Sequence, residues 1–242
     1  MGFLFVLIVG LIAGTISGIV GTGSSIMLMP VLVYEYGPKQ AVPIMAVAAV
    51  LANLSRILAW WREVDWRACA AYSVTGIPAA ALGARTLLAL PPHAVDISIG
   101  VFLIAMVPVR HWLARHELKA NLWHLAIGGA VIGYLTGIVA STGPLSVPLF
   151  LFYGLTKGAF LATEAASSLG LYLSKSVTFE RFGALTSDLV VKGLIAGSSL
   201  MFGAFAAKRF VLRLKPDAFR LLMDGIMLAA GLSLLWTAVT SP

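Results

Sequence analysis

The sequence has little charge and almost no cysteine. Of its 242 residues, 11% are charged and 60% are hydrophobic, and the mean hydropathy is +0.95. A soluble domain carries about 25% charged residues, so this composition excludes an ordinary soluble fold. The single cysteine, Cys69, excludes an intramolecular disulfide, a CxxC redox pair and a thiolate metal cluster within one chain. We therefore expect an integral membrane protein.

Apolar segments occupy almost the whole chain, and no soluble domain fits beside them. The N-terminal segment has no Lys or Arg before Lys39, so it lacks the basic region of a cleavable signal peptide, and we expect it to belong to the mature fold. Charged and turn residues separate eight candidate segments, all helical by length and composition: 2–34, 40–61, 68–88, 93–110, 121–154, 158–178, 188–208 and 217–239.

Two of these segments differ from the others because residues 1–34 and 120–156 contain no Asp, Glu, Lys or Arg. A straight helix of about 34 residues would be about 50 Å long, whereas the hydrocarbon core of a bilayer is about 30 Å thick. Each segment also has a cluster of Gly, Ser, Thr and Pro near its middle, at 18–30 and 137–148. A helix break at such a cluster predicts a hairpin that enters and leaves the membrane on one face.

The long segments also open an internal repeat. The sequence GTISGIV at 14–20 matches GYLTGIV at 133–139, and a proline follows at a similar distance in both copies. We divide the chain into a first repeat, 1–119, and a second repeat, 120–242, within a single membrane domain.

Charge placement favours inverted repeats. If every long segment crosses the membrane once, the 17 Lys and Arg residues divide 9 to 8 between the two faces; if both long segments return, they divide 12 to 5. This count assigns Arg56 to the richer face and Lys175 to the poorer one. The positive-inside rule prefers the uneven distribution, which inverts the second repeat and leaves both termini outside the cytoplasm.

The predicted fold is therefore an all-α integral membrane protein of a prokaryotic cell membrane. It is a polytopic helical bundle of two inverted repeats, each with a broken-helix hairpin and three transmembrane helices. Five tryptophans are expected in a belt at the cytoplasmic interface: Trp60, Trp61, Trp66, Trp112 and Trp123.

The two helix breaks predict an anion site. The N-terminus of a half-helix carries unpaired N–H groups and about half a positive charge. In inverted copies the two ends face each other near the midplane, which suits a small oxyanion bound without a full Lys or Arg. The candidate substrate-binding residues are Thr22, Gly23, Ser24, Ser25, Asn53, Ser141, Thr142 and Gly143.

Helix packing is the alternative interpretation for the glycines that precede the breaks. They are Gly10, Gly14 and Gly18 in the first copy and Gly129, Gly133 and Gly137 in the second. Asn53 is likewise either a cavity residue or a polar contact between helices.

Glu164 is an intramembrane carboxyl group about six residues into its predicted helix. A charged carboxylate at this depth is unfavourable by about 2.5–3.5 kcal/mol or more, so it must be protonated, paired or hydrated. A proton-coupling role and a structural hydrogen bond to a neighbouring hairpin are the two interpretations.

Enzymatic and metal chemistry have little support. The four histidines lie in or beside loops without metal-ligand spacing, and we expect no metal and no cofactor. Ser141 beside Thr142 is weakly similar to a buried nucleophile motif, but no histidine follows residue 124 to act as its base. We expect no enzyme, and since the net charge of +7 reflects topology, no nucleic-acid partner. The expected partners are a small anion and the lipid bilayer, and a homodimer is left open.

The chain resembles the TauE/SafE family of sulfite-exporter-like membrane proteins. The resemblance rests on the two glycine-rich breaks that end in proline, 21–30 and 141–148, a Val-Asp-Trp-Arg turn at 64–67 and a Gly/Pro helix at 76–83. Two features depart from the family pattern: Gly-Ser-Ser at 23–25 replaces a glycine triplet, and Glu164 stands where a small polar residue is more usual.

The resemblance implies secondary transport of a small anion, sulfite or an organosulfonate, exported at the expense of the proton gradient. The alternative is a membrane subunit that docks a soluble partner through its cationic loops at 110–119 and 208–220.

Overall fold

The computed structural model describes residues 2–20, 24–115, 119–139 and 142–210, together with nine helical positions between 224 and 239. This part of the chain contains helices and no strands. The helices are α1 (Gly2–Val20), α2 (Ser24–Tyr36), α3 (Pro38–Trp60), α4 (Trp66–Ala89), α5 (Pro92–Arg115), α6 (Leu122–Ile138), α7 (Gly143–Phe152), α8 (Lys157–Arg181) and α9 (Ser187–Phe210), with a 3-10 turn at Trp61–Glu63.

The helix boundaries agree with the predicted segments. Each ordinary segment up to residue 208 becomes one helix, and each of the two long segments becomes a pair of helices. The last predicted segment, 217–239, is described only in part, and its described positions are helical.

Local sequence explains where several helices begin and end. The Asp65 side chain accepts hydrogen bonds from the first amides of α4, and Asn121 caps α6 in the same way. Positive φ angles at Gly37, Gly154 and Gly183 terminate α2, α7 and α8, a conformation that L side chains adopt with strain.

The predicted helix breaks are present. The first lies between Val20 and Ser24 and the second between Ile138 and Gly143. α7 has only 10 residues, about 15 Å, which is half of a bilayer's hydrocarbon core.

The second broken segment folds back on itself. The amide of Ala120, just before α6, donates a hydrogen bond to the carbonyl of Phe152 at the end of α7, at 2.9 Å. The segment therefore begins and ends at the same side of the bundle. In the first segment, α2 packs against α1, as a hairpin requires.

Glycines allow close contact between helices of different repeats. A methyl group added at Gly14 would lie 2.2 Å from the carbonyl oxygen of Leu200 on α9, and one at Gly133 would lie 2.5 Å from that of Gly76 on α4. Gly129 and Gly137 contact the α4 backbone similarly. The packing interpretation is confirmed for these four glycines.

Helices of each repeat pack against helices of the other repeat. α1 packs against α9 and α6 against α4, while α3 packs against α9 and α8 against α4; α3 and α8 contact each other. These contacts of α1 and α3 therefore have counterparts in those of the corresponding helices α6 and α8.

The surface of the bundle is apolar and its interior is partly polar. Leu4, Ile8 and Phe202 are about half exposed or more, whereas Asn53 and Ser167 are buried. A soluble protein has the opposite distribution, so the bundle is built for an apolar solvent. Two of the described helical stretches are each long and apolar enough to cross a membrane, Lys39–Glu63 and Ser187–Ala206.

Four of the five tryptophans expected in a belt are exposed at helix ends. Trp61 and Trp66 flank the turn between α3 and α4, Trp112 lies in the last turn of α5, and Trp123 begins α6. Positions of this kind suit side chains at a membrane–water interface.

Candidate functional site

A small polar cavity lies where the two helix breaks meet. Its accessible volume of about 30 Å³ exceeds the roughly 10–15 Å³ that one water molecule needs. The first residues of α2 and α7 line it from the two breaks, and α3 and α8 supply its other walls. The lining residues are Ser17, Ser24, Ser25, Ala49, Ala52, Asn53, Arg56, Thr136, Thr142, Gly143, Ser146, Glu164, Ser168 and Tyr172.

The structure brings the described candidates from both repeats together. Five of the predicted binding residues and Glu164 line this one cavity: Ser24, Ser25, Asn53, Thr142, Gly143 and Glu164. The other three candidates, Thr22, Gly23 and Ser141, lie outside the described residues.

Hydroxyl groups connect the cavity walls. Tyr172 on α8 is hydrogen-bonded to Ser25 at the start of α2. Thr136 on α6 bonds the hydroxyl of Thr142 across the second break. The cavity is therefore closed on several sides by short polar contacts between helices.

The N-terminus of α7 offers few amide donors to a ligand. Pro144 has no N–H group, and the amides of Leu145 and Ser146 both bond the carbonyl of Thr142. The side chain of Thr142 does not cap the helix. An anion in this cavity would therefore need a stronger positive group than this helix end.

Arg56 supplies that group. Its Nη1 donates to Oε2 of Glu164 at 2.9 Å, and the two side chains are only 10% and 5% exposed. Its Nη2 donates to Oδ1 of Asn53, one turn earlier on α3.

The cavity therefore contains a full cation, which the expected anion site did not include, and Arg56 is a buried side chain and not an exposed interfacial one. Arg56 is four residues from the end of α3, but side chains on a helix lean toward its N-terminus. Its guanidinium consequently reaches back toward Asn53 and into the bundle. Without Arg56 and Lys175, the charge count of the two faces becomes 11 to 4, which keeps the same bias.

Glu164 is held by three donors. Ser146 on α7 and Ser168 on α8 donate to its Oε1 at 3.1 and 2.8 Å, while Arg56 bonds its Oε2. The hydrogen bond from Ser146 is the contact with a neighbouring hairpin that the structural interpretation of Glu164 requires. The ion pair with Arg56 makes the carboxyl group part of the cavity as well.

Lys175 is the second basic side chain inside the bundle, not at the face where the charge count placed it. It is completely buried on α8, and its Nζ donates to the carbonyls of Thr136 and Val139 at 2.6 and 2.9 Å. These carbonyls belong to the end of α6, where the break leaves them without helical partners. Lys175 therefore holds the second break in place. The available sequence signal was its position eleven residues, about three turns, after Glu164 on the same face.

Metal ligands are not clustered in the part of the chain that is described. No group of three or more His, Cys, Asp and Glu side chains there could hold a metal ion.

Comparison with known proteins agrees with this architecture. The family model "Sulfite exporter TauE/SafE" matches residues 6–234. The chain belongs to this family. It is therefore a membrane-embedded helical protein of a transporter family, as the resemblance implied.

Curated relatives in the family carry transporter names. "Probable membrane transporter protein YjnA" of Bacillus subtilis (strain 168) is 22% identical over 257 residues, covering 95% of this chain and 98% of the relative. "Probable membrane transporter protein y4hK" of Sinorhizobium fredii is 28% identical over 191 residues, covering 72% and 73%. No solved structure matches this chain. The relatives are named as transporters and not as enzymes.

Proposed function

We propose that the protein is a secondary transporter of a small anion, sulfite or an organosulfonate, which binds in the polar cavity between the two helix breaks. The observation that carries the proposal is that residues of both breaks, Ser25 and Thr142 among them, share one buried cavity with Arg56. Hydroxyl donors and a guanidinium are the groups that replace the water shell of an oxyanion. The family name, sulfite exporter, supports the choice of anion and export as the direction.

The binding site combines Ser24, Ser25, Asn53, Thr142 and Gly143 with Arg56. Thr22, Gly23 and Ser141 remain part of the proposal as residues of the same two breaks. Glu164 is the proton-coupling residue, because it is the acidic side chain among the cavity-lining residues and is paired with the basic one.

Alternating access would use the two repeats as inverted copies that rock around the cavity. The packing of helices between the two repeats supports this arrangement. The proposal places the protein in the cell membrane with both termini outside the cytoplasm, the orientation that the uneven charge distribution favours. Labels at each terminus test this orientation.

Flux through reconstituted vesicles tests the function. Wild-type protein in proteoliposomes should exchange labelled sulfite or sulfoacetate without any soluble partner. Ser25→Leu and Thr142→Leu should reduce the exchange rate at least tenfold, because both side chains are buried in the cavity wall.

Ser198→Leu and Thr86→Leu are matched controls, since these hydroxyls bond only within the outer parts of α9 and α4 or to Tyr134. They should exchange at the wild-type rate. Equal rates in all four correctly inserted variants would place the site elsewhere. Transport that requires an added soluble partner would favour the docking subunit.

A further inference from the structure

Resting on the proposed function, we infer that the protein moves one proton together with each monoanion, through a site whose total charge stays at zero. Arg56 is the anion-binding cation, and its guanidinium pairs with the carboxylate of Glu164 when no anion is present. The arrangement of the two side chains in the cavity leads to this coupling.

The empty site is electrically neutral. A guanidinium stays protonated under all ordinary conditions, and the carboxylate of Glu164 lies 2.9 Å from it. Both side chains are almost inaccessible to solvent. In such surroundings a paired charge is tolerated, whereas an unpaired charge is strongly unfavourable.

Partial loading breaks this neutrality. An anion that enters while Glu164 is ionised gives the site a charge of −1, and a proton that enters without an anion leaves Arg56 alone at +1. When both bind, Arg56 pairs with the anion and Glu164 is a neutral acid. Only the empty and the doubly loaded sites are neutral, so the protein can change access from one face of the membrane to the other only in these two states.

The two carboxyl oxygens of Glu164 have separate partners, so a proton can replace Arg56 at one oxygen while the hydrogen bonds at the other remain. Oε2 bonds Arg56, and Oε1 is held by Ser146 and Ser168. A proton from the open side binds at Oε2 and ends the ion pair, while the serines keep the acid in place. The released guanidinium then faces the same cavity as Ser25 and Thr142.

Among the described residues, the titratable groups that face Glu164 from the packed helices are tyrosines and Arg56. Tyr72 on α4 and Tyr172 on α8 interact electrostatically with Glu164, and α3 contributes Arg56. Among the lining residues, α6 and α7 contribute hydroxyl groups and no titratable side chain. Glu63 of the 3-10 turn lies against Gly158 at the start of α8, nearly two turns before Glu164. Tyrosine and arginine keep their charge between about pH 5 and 8.

This coupling limits the substrate class and the direction. A sulfonate or hydrogen sulfite balances one guanidinium, whereas a dianion would leave the site at −1. Because the proton and anion travel together, an inward proton gradient drives uptake. Net export, the direction proposed above, is then driven by an outward anion gradient and not by the proton gradient, in contrast to what the resemblance implies.

Proteoliposomes containing the wild-type protein provide the test, with labelled methanesulfonate and labelled sulfite as probes. Methanesulfonate remains a monoanion across the pH range used. If neither probe is exchanged, the proposed transport function itself is wrong. If exchange occurs, an acidic outside should drive accumulation of about tenfold per pH unit, the limit for 1:1 coupling.

A potassium diffusion potential should leave the accumulation ratio unchanged, because the loaded and empty sites are both neutral. A trapped pH dye should report one proton entering per anion. Accumulation that follows the potential and not the pH gradient would overturn the coupling while leaving the transport function intact.

Variants separate exchange from net transport. Glu164→Gln should still exchange anions but lose pH-driven accumulation, because its empty site carries a charge of +1. Arg56→Gln should lose exchange, and Arg56→Lys should keep part of it. Glu180→Gln, at the exposed end of α8, is the matched control and should accumulate anion like the wild type. Normal pH-driven accumulation by Glu164→Gln contradicts the inference, and the proton count in wild-type vesicles tests it without any variant.

Discussion

In the described part of the chain, two basic side chains lie inside the bundle, and they have different kinds of partner. Arg56 bonds the carboxyl group of Glu164 at the cavity, whereas Lys175 bonds the backbone carbonyls of Thr136 and Val139 at the end of α6. A carboxylate can take up a proton and let go of its partner, but a peptide carbonyl cannot do so at any ordinary pH. The Arg56 region is therefore suited to switching, and the Lys175 region to a permanent structure.

The largest effect on stability should come from removing Arg56. Arg56→Met leaves Glu164 buried without its ion-pair partner, which should lower the free energy of unfolding by about 3–5 kcal/mol at pH 8. The loss should shrink as the pH falls, because the folded variant then binds a proton that neutralises the carboxyl group. Denaturation in detergent at pH 8 and pH 5.5 measures both effects. An equal loss at the two pH values would contradict a pH-dependent ion pair at Arg56.

Lys175→Met should lower the free energy of unfolding by a comparable or smaller amount. The carbonyls of Thr136 and Val139 lose their donor, at about 1–3 kcal/mol for each buried acceptor. The same denaturation experiment applies, with Lys39→Met at an exposed position of α3 as control. The structural role of Lys175 is refuted if the two lysine variants are equally stable.

Substitutions at two adjacent glycines of α6 test whether the contact between α4 and α6 is rigid. A methyl group at Gly129 would lie 2.2 Å from the backbone oxygen of Tyr72, and one at Gly128 would lie 2.3 Å from the end of the Leu149 side chain. Gly129→Ala should lower the free energy of unfolding by about 1–3 kcal/mol, since α4 and α6 must separate. Gly128→Ala should change it by less than about 1 kcal/mol, because a leucine side chain can rotate. Equal losses would mean that the α4–α6 contact can adjust.

The smallest effect is expected at an exposed ion pair. Lys192 and Asp188 on α9 are 2.6 Å apart, but the Asp188 side chain is 71% exposed. Asp188→Asn should change the free energy of unfolding by about 0.5 kcal/mol or less. A loss comparable with that of Arg56→Met would show that burial does not distinguish the ion pairs of this protein.

Much of the helical framework follows from the sequence. The charge-free segments and their clusters of small residues predicted both breaks, and the regular glycine spacing predicted the close packing that Gly133 makes with Gly76. These features are local or periodic, so a single sequence displays them. The residues of the breaks that line the cavity, such as Ser25 and Thr142, were found for the same reason.

The ion pair between Arg56 and Glu164 could not be found in this way. The two residues are 108 positions apart, and Arg56 lies near a helix end, where the positive-inside rule counts it as an interfacial charge. Its inward direction depends on the lean of its side chain and on where α8 packs. The buried position of Lys175 was not predicted either, because it depends on where α6 packs against α8.

Hydropathy and backbone preferences act over short stretches of chain, so the amino-acid sequence is enough to predict an apolar solvent, the helices and the two helix breaks. Which charged side chains enter the bundle depends on how the helices pack. Contact between α3 and α8 brings Arg56 to Glu164, and a buried charge is tolerated only where the fold places its partner within hydrogen-bonding distance.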